Sequence, residues 1–163
     1  MTQAWQMSAR ETAQAVNQRR LGAQEVAQSV LQRLEAVNPQ LNAVIGHEAA
    51  WTLAQAQAVD ARVARGESLP LAGVPVTVKD NIWVKDRRIT QGSRVFQNFV
   101  APRDAWAVER LRSLGAVIVG ITNCSEFACK GVSNNLVHGI TRSPWDVRLT
   151  PGGSSGGAVS ATA

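Results

Sequence analysis

Two hydroxyls and one amine carry the chemistry this sequence offers. Thr150-Pro151-Gly152-Gly153-Ser154-Ser155-Gly156-Gly157 sets two serines between two glycine pairs, and the small residues of 158–163 follow. Glycine accepts backbone angles closed to other residues and lets another segment approach the main chain. The stretch therefore reads as a sharply turned backbone presenting Ser154 or Ser155, with free amides beside them. A helix starting just after would aim its N-terminal amides at developing negative charge. The same composition fits a flexible linker. It lacks the Gly-Lys-Ser/Thr ending of a phosphate loop.

The amine belongs to Lys79, one of only three lysines in the chain. It abuts the apolar run 71–78, so it either extends to water along its own stem or is held inside. Held inside, an ammonium loses hydration and gives up its proton more readily. A neutral amine beside a hydroxyl is a general base, and Ser–Lys pairs are one variant of nucleophilic acyl transfer.

The elements that must position these groups fall into two stretches. The first, 1–66, reads as a helical cover. Ser8 with Glu11 three residues on is a capping-box pattern and starts a helix over 8–20, which Gly22 breaks. A second helix covers 23–37, with Val26, Val30, Leu31 and Leu34 on one stripe. Asn38-Pro39 ends it, because the residue before proline avoids helical angles. A short strand follows over 41–45, then an alanine-rich helix over 48–65 closed by Gly66.

From 67 onward the pattern is that of an α/β core. Residues 71–78 are apolar, β-branched and bounded by proline and glycine, which suits a buried strand. A short strand is expected near 88–90. Asp104 caps a helix over 105–114, Gly115 stops it, and 116–121 is a second buried strand. Strand, helix, strand in that order implies a parallel crossover. A short helix near 125–129 leads into a loop rich in glycine and asparagine. No internal repeat and no domain linker interrupts the 163 residues, which fit one domain.

Composition narrows the class. Hydrophobic residues at 45% and charged ones at 18% describe a globular chain rather than a disordered one. Apolar runs fall far short of the ~20 residues that cross a bilayer, and the N-terminus has no secretion signal, so the expected home is the cytoplasm. Cys124 and Cys129 make no disulfide framework, and without CxxC pairs a structural zinc is not expected. Net charge is +5, but the 17 basic residues are spread along the chain rather than clustered among aromatics, so no nucleic-acid contact is implied.

Four ordered motifs then make a family resemblance. Gly73-Val74-Pro75-Val76-Thr77-Val78-Lys79-Asp80-Asn81 comes first, and Gly120-Ile121-Thr122-Asn123-Cys124-Ser125-Glu126-Phe127-Ala128 second. Ser143-Pro144-Trp145-Asp146 and Pro151-Gly152-Gly153-Ser154-Ser155-Gly156-Gly157 complete the set. Together they resemble the amidase signature family. The resemblance implies an α/β fold with a mixed central sheet covered by helices, hydrolysing small carboxamides with a Ser–cis-Ser–Lys triad and no cofactor or metal. On that resemblance Lys79 matches the base, and Ser154 matches the bridging serine that follows a cis peptide bond. Gly152, Gly153 and Ser155 support it. Asp80 and Asn81 are candidates for orienting Lys79 or the serine loop, and Ser133 and Asn134 for lining the substrate pocket.

One departure matters. The family's nucleophilic serine lies roughly two dozen residues past the bridging serine, in a glycine-rich loop that also supplies oxyanion-hole amides. The sequence stops at Ala163. The expectation is therefore one incomplete amidase domain, inactive alone and open to self-association through an unfinished sheet edge. Ser155 standing in as nucleophile would still lack the oxyanion loop. Cys124 with His138 is another conceivable pair, although a cysteine at a strand–helix junction is more often a small buried residue. Two alternatives stay open: the glutaminase subunit of the tRNA-dependent amidotransferase, and a non-catalytic fragment that folds only against a partner.

Overall fold

The computed structural model describes residues 3–163. They form two compact units, each assembled from separate stretches of chain. The first takes residues 3–36, Glu48–Val76 and Glu109–Val119. The second takes Val37–His47, Thr77–Val108 and Gly120–Ala163.

In the first unit, helix α1 (Ala9–Asn17) starts on the expected capping box: Ser8 Oγ accepts the Glu11 N–H at 3.2 Å, and the Glu11 carboxylate accepts the Ser8 N–H at 2.8 Å. Helix α2 (Ala23–Leu41) draws its N-terminal cap from elsewhere in the chain. Asp60, on α3 (Ala49–Ala64), accepts the N–H groups of Ala23 at 2.6 Å and Gln24 at 3.1 Å, placing an anion at the positive end of the helix dipole. At the other end of α3, Arg19 donates to the carbonyls of Val63 and Ala64, two of the acceptors a helix C-terminus leaves open. The apolar stripes meet in a core of Val16, Ala23, Val26, Ala27, Ala56, Val59, Val63, Leu69, Ala72 and Val117. Each buried valine there contributes about 1.5–3 kcal/mol relative to exposure.

Three expected boundaries move. Helix α2 runs through Pro39 to Leu41 instead of stopping at 37. The proline forfeits one N–H in the last turn, yet the Asn42 N–H still reaches the Asn38 carbonyl at 2.7 Å. The Asn38 side chain then accepts from Ala43 and Val44 and donates to the Val44 carbonyl, fastening the exit. Strand β1 consequently begins at Val44 (Val44–His47) rather than at 41. Strand β2 spans Pro75–Lys79 rather than 71–78. Residues 69–74 are turned instead, with Ala72 N–H bonded to Leu69 O and Val74 N–H to Leu71 O.

Helix α4 (Trp106–Ser113) leads into β3 (Val117–Thr122), which is buried at every residue. The sheet order is β1-β3-β2. Strand β1 runs antiparallel to β3, with Val44 opposite Thr122 and His47 opposite Gly120. Between β2 and β3 the bonds Val117 N–H to Val74 O and Asp80 N–H to Thr122 O rise together along both strands, the parallel sense. The sheet is mixed, as the motifs implied.

Within the second unit the strand expected near 88–90 is a single bridge, Arg88 to Val100. The helix expected near 125–129 is one 3-10 turn, Glu126–Ala128, because Phe127 takes a left-handed φ of 50° that an α-helix does not accept. The loop after it contains a small hairpin, β4 (Asn134–Asn135) with β5 (Gly139–Ile140). Helix α5 covers Gly156–Thr162. No helix among the described residues is long and apolar enough to cross a membrane.

Candidate active site

Lys79 closes β2, where consecutive side chains alternate between faces. Its Nζ donates to Ser154 Oγ at 2.8 Å and to Ser155 Oγ at 2.9 Å. Of the two sequence readings, the one that set the amine beside a hydroxyl matches this contact, although the side chain is not fully enclosed. The side chain is half-buried, and its amine ends on the two hydroxyls instead of running out along the surface.

The serine loop is shaped by its glycines. Gly152 has φ +85°, a conformation that side chains disfavour, and the Gly153–Ser154 peptide is cis. The loop is pinned from behind. The Ser154 carbonyl accepts the Ser125 N–H at 3.4 Å and lies 3.5 Å from Ser133 Oγ. At Gly157 any side chain would run into the main chain of Asn123, so only glycine lets α5 start this close to β3's end.

The free amides expected beside the serines are not all free. Gly156 N–H donates to Ser133 Oγ at 2.7 Å, and Gly157 N–H donates to the Asn123 carbonyl at 3.2 Å. The first amides of α5 therefore fasten the loop to its support. They are not aimed at a substrate.

The Asp80 carboxylate makes no direct hydrogen bond to the amine. The side chain is fully buried and accepts the N–H of Thr90 at 2.7 Å, the N–H of Gly92 at 3.0 Å and the Thr90 hydroxyl. A buried carboxylate is tolerable when donors surround it in this way. Asp80 thus holds the 90–92 loop against the strand that carries Lys79. Asn81 is exposed, and its main-chain N–H closes onto the Lys79 carbonyl at 2.8 Å. Its side chain holds neither Lys79 nor the serine loop.

Ser133 is buried behind the serine loop, while Asn134 is exposed on β4. The neighbour that matters is Asn135, whose amide donates to Asn123 Oδ1 and to the Cys124 carbonyl, both at 2.8 Å. Thr90, Asn123 and Thr141 escaped the sequence reading as supports, and His138 entered it only as a partner for Cys124. Threonine, asparagine and glycine in a loop look like turn formers whether or not the fold buries them.

The Cys124–His138 pairing fails on geometry and on charge. His138 Nε2 lies 2.9 Å from Thr90 Oγ1 and 3.6 Å from Asp80 Oδ2. Burial pushes the Cys124 thiol up to about 11, with the Asp80 charge adding and the Lys79 charge opposing, so the sulfur stays protonated. What remains together is one amine within hydrogen-bond reach of two hydroxyls, an arrangement that can pass a proton.

The Amidase family model matches residues 25–163. The chain belongs to the amidase family. Among curated amidase-family relatives it is 40% identical over 153 residues to the glutamyl-tRNA(Gln) amidotransferase A subunit of Coxiella burnetii (strain Dugway 5J108-111), covering 94% of this chain and 32% of that protein. It is 42% identical over 160 residues to indoleacetamide hydrolase of Bradyrhizobium diazoefficiens (strain JCM 10833 / BCRC 13528 / IAM 13628 / NBRC 14792 / USDA 110), covering 98% of this chain and 30% of that one. The solved native peptide amidase from Stenotrophomonas maltophilia superposes with a TM-score of 0.88 at 32% identity, covering 96% of this amidase chain and 34% of the other. The chain thus spans about a third of the length of the relatives it matches.

Proposed function

We propose that this chain supplies the base and the bridging hydroxyl of an amide-hydrolysing site, Lys79 and Ser154. The 2.8 Å contact between Lys79 Nζ and Ser154 Oγ carries the reading. In the proposed mechanism a third residue's hydroxyl attacks the amide carbonyl carbon, forming the C–O bond. Its proton passes to Ser154 Oγ as the Ser154 proton passes to Lys79 Nζ. The lysine then returns a proton along the same path to the amide nitrogen, and the C–N bond breaks. Water repeats the attack and frees the enzyme. General base work of this kind contributes about 10²–10⁴-fold.

The attacking hydroxyl in this proposal lies outside residues 1–163. The candidate, on the family resemblance, is a glycine-flanked serine past Ser154, and the greater length of the relatives supports this reading. Ser155 is a weaker candidate because it shares the Lys79 amine and follows Ser154 directly. The test is hydrolysis of a small amide by the full-length protein and by a version ending at Ala163. Turnover by the shorter version at the same rate would overturn the assignment.

A second reading rests on the similarity to the glutamyl-tRNA(Gln) amidotransferase protein of Coxiella burnetii: the same residues would release ammonia from glutamine. Ammonia production from glutamine, set against hydrolysis of an arylacetamide, separates the two.

A further inference from the structure

Six residues, 133–138, touch both halves of the candidate site. At one end Ser133, 1% exposed, accepts the Gly156 N–H at 2.7 Å and lies 3.5 Å from the Ser154 carbonyl. At the other end His138 meets Thr90 Oγ1 at 2.9 Å with its side chain 9% exposed, and Thr90 donates both its N–H and its hydroxyl to Asp80. With Nε2 carrying the proton, the donors run in one direction, from His138 to Thr90 to Asp80. Asp80 is the next residue after Lys79, and its own N–H is fixed on the Thr122 carbonyl at 3.0 Å. Asp80 directly follows the last residue of β2, so a shift of its backbone passes to Lys79 through a single peptide unit.

The segment between the two ends is stiff. Asn135 Oδ1 accepts the N–H groups of Val137 at 2.9 Å and His138 at 2.7 Å, while its amide holds Asn123 and Cys124. Asn42 secures the His138 carbonyl at 2.7 Å, and Thr141 N–H returns to the Ser133 carbonyl at 2.9 Å. The bonds therefore close a ring: Lys79 to Ser154, Ser154 to Ser133, along the segment to His138, then through Thr90 and Asp80 back to Lys79.

We propose that segment 133–138 is a brace that sets the separation of the Lys79 amine from the Ser154 hydroxyl, with Ser133 and His138 as its positioning residues. Its effect on turnover rests on the function proposed above. A displacement of about 1 Å in such a pair costs up to ~10²-fold in rate, so a closed ring of buried and part-buried bonds is a sufficient means of control. A hairpin that merely packs would anchor each end independently.

The brace is tested first without turnover, by hydrogen–deuterium exchange on the protein. His138→Phe keeps a ring and removes the donor; Ser133→Ala removes the other anchor. The brace predicts that His138→Phe speeds exchange about tenfold at Thr90 and Gly92 and also at Gly156. Ser133→Ala speeds it at Gly156 and, reciprocally, at Thr90 and Gly92. His138→Gln, whose amide nitrogen sits at about the reach of Nε2, restores slow exchange. Should His138→Phe not fold, His138→Asn, whose amide stops short of Thr90, makes the same comparison. Loosening confined to the substituted end, or no rescue by glutamine, overturns the brace. In the full-length amidase the same variants are expected to lower kcat about tenfold to a hundredfold with KM within about twofold, again rescued by glutamine. A wild type that hydrolyses no amide would refute the proposed function, and the exchange result would still decide the brace.

Discussion

The two units have different interiors. The first is packed mostly from alanine and valine, with Leu31, Leu69 and Ile118, and its buried polar residues among those described are Thr12 and Thr52. Ten of the twelve buried polar or charged residues belong to the second unit, Asp80, Asn123 and Ser133 among them. An apolar interior is held by area and accepts substitutions that keep volume. A polar interior is held by pairing, and deleting one partner strands the other at the cost of its desolvation. The second unit is the one that carries Lys79 and Ser154, so stability and positioning are coupled there. In the first unit they should separate.

The largest break in this contrast is expected at Lys79. Lys79→Ala in the full-length protein should lower kcat by about 10³–10⁴-fold and also lower the denaturant midpoint, because the Ser154 and Ser155 hydroxyls lose their donor. Ser154→Ala should cost about 10²–10³-fold on the same assay. A near-normal rate for either would remove that residue from the chemistry. Asp80→Ala should cost about 3 kcal/mol in chemical denaturation, because the Thr90 and Gly92 amides lose their acceptor inside the protein. It should also lower kcat, since stability and positioning share those bonds. Val26→Ala in the first unit should cost about 2 kcal/mol and leave kcat of the folded enzyme unchanged. A rate loss there would erase the distinction between the two interiors.

The smallest effect concerns Cys124. Its thiol is raised from 9.0 to about 11 in the folded chain, chiefly by burial. The unfolded chain therefore ionises this cysteine first. The stability it contributes is intact below pH 9 and is lost as pH rises toward 11. Cys124→Ala should flatten that part of the curve of urea midpoint against pH. An unchanged slope would show that other groups set it.

Much of the frame is legible in the sequence because it follows from periodicity and capping. The Ser8–Glu11 box, the α2 stripe and the buried β3 run each carry a local signal that tertiary structure does not override. Pro39 misleads because a proline in the last helical turn removes one bond while the Asn38 side chain supplies others further on. The glycine pattern and the scarcity of lysine draw attention to Lys79 and Ser154, and the motif resemblance is what pairs them. Their supports carry no such signal. Thr90 and His138 meet across 48 residues of chain, and no local spacing announces a contact of that range. Asp80 misleads in another way: it directly follows Lys79 in sequence, yet its carboxylate is taken up by Thr90 and Gly92.

The most direct test of the central claim is a double-variant cycle on amide turnover by the full-length amidase. If Lys79 and Ser154 act as one proton path, removing both costs no more than Lys79→Ala alone. Losses that multiply, so that the double variant falls by the product of the two single ones, would mean that the amine and the hydroxyl act separately, and the account would be wrong.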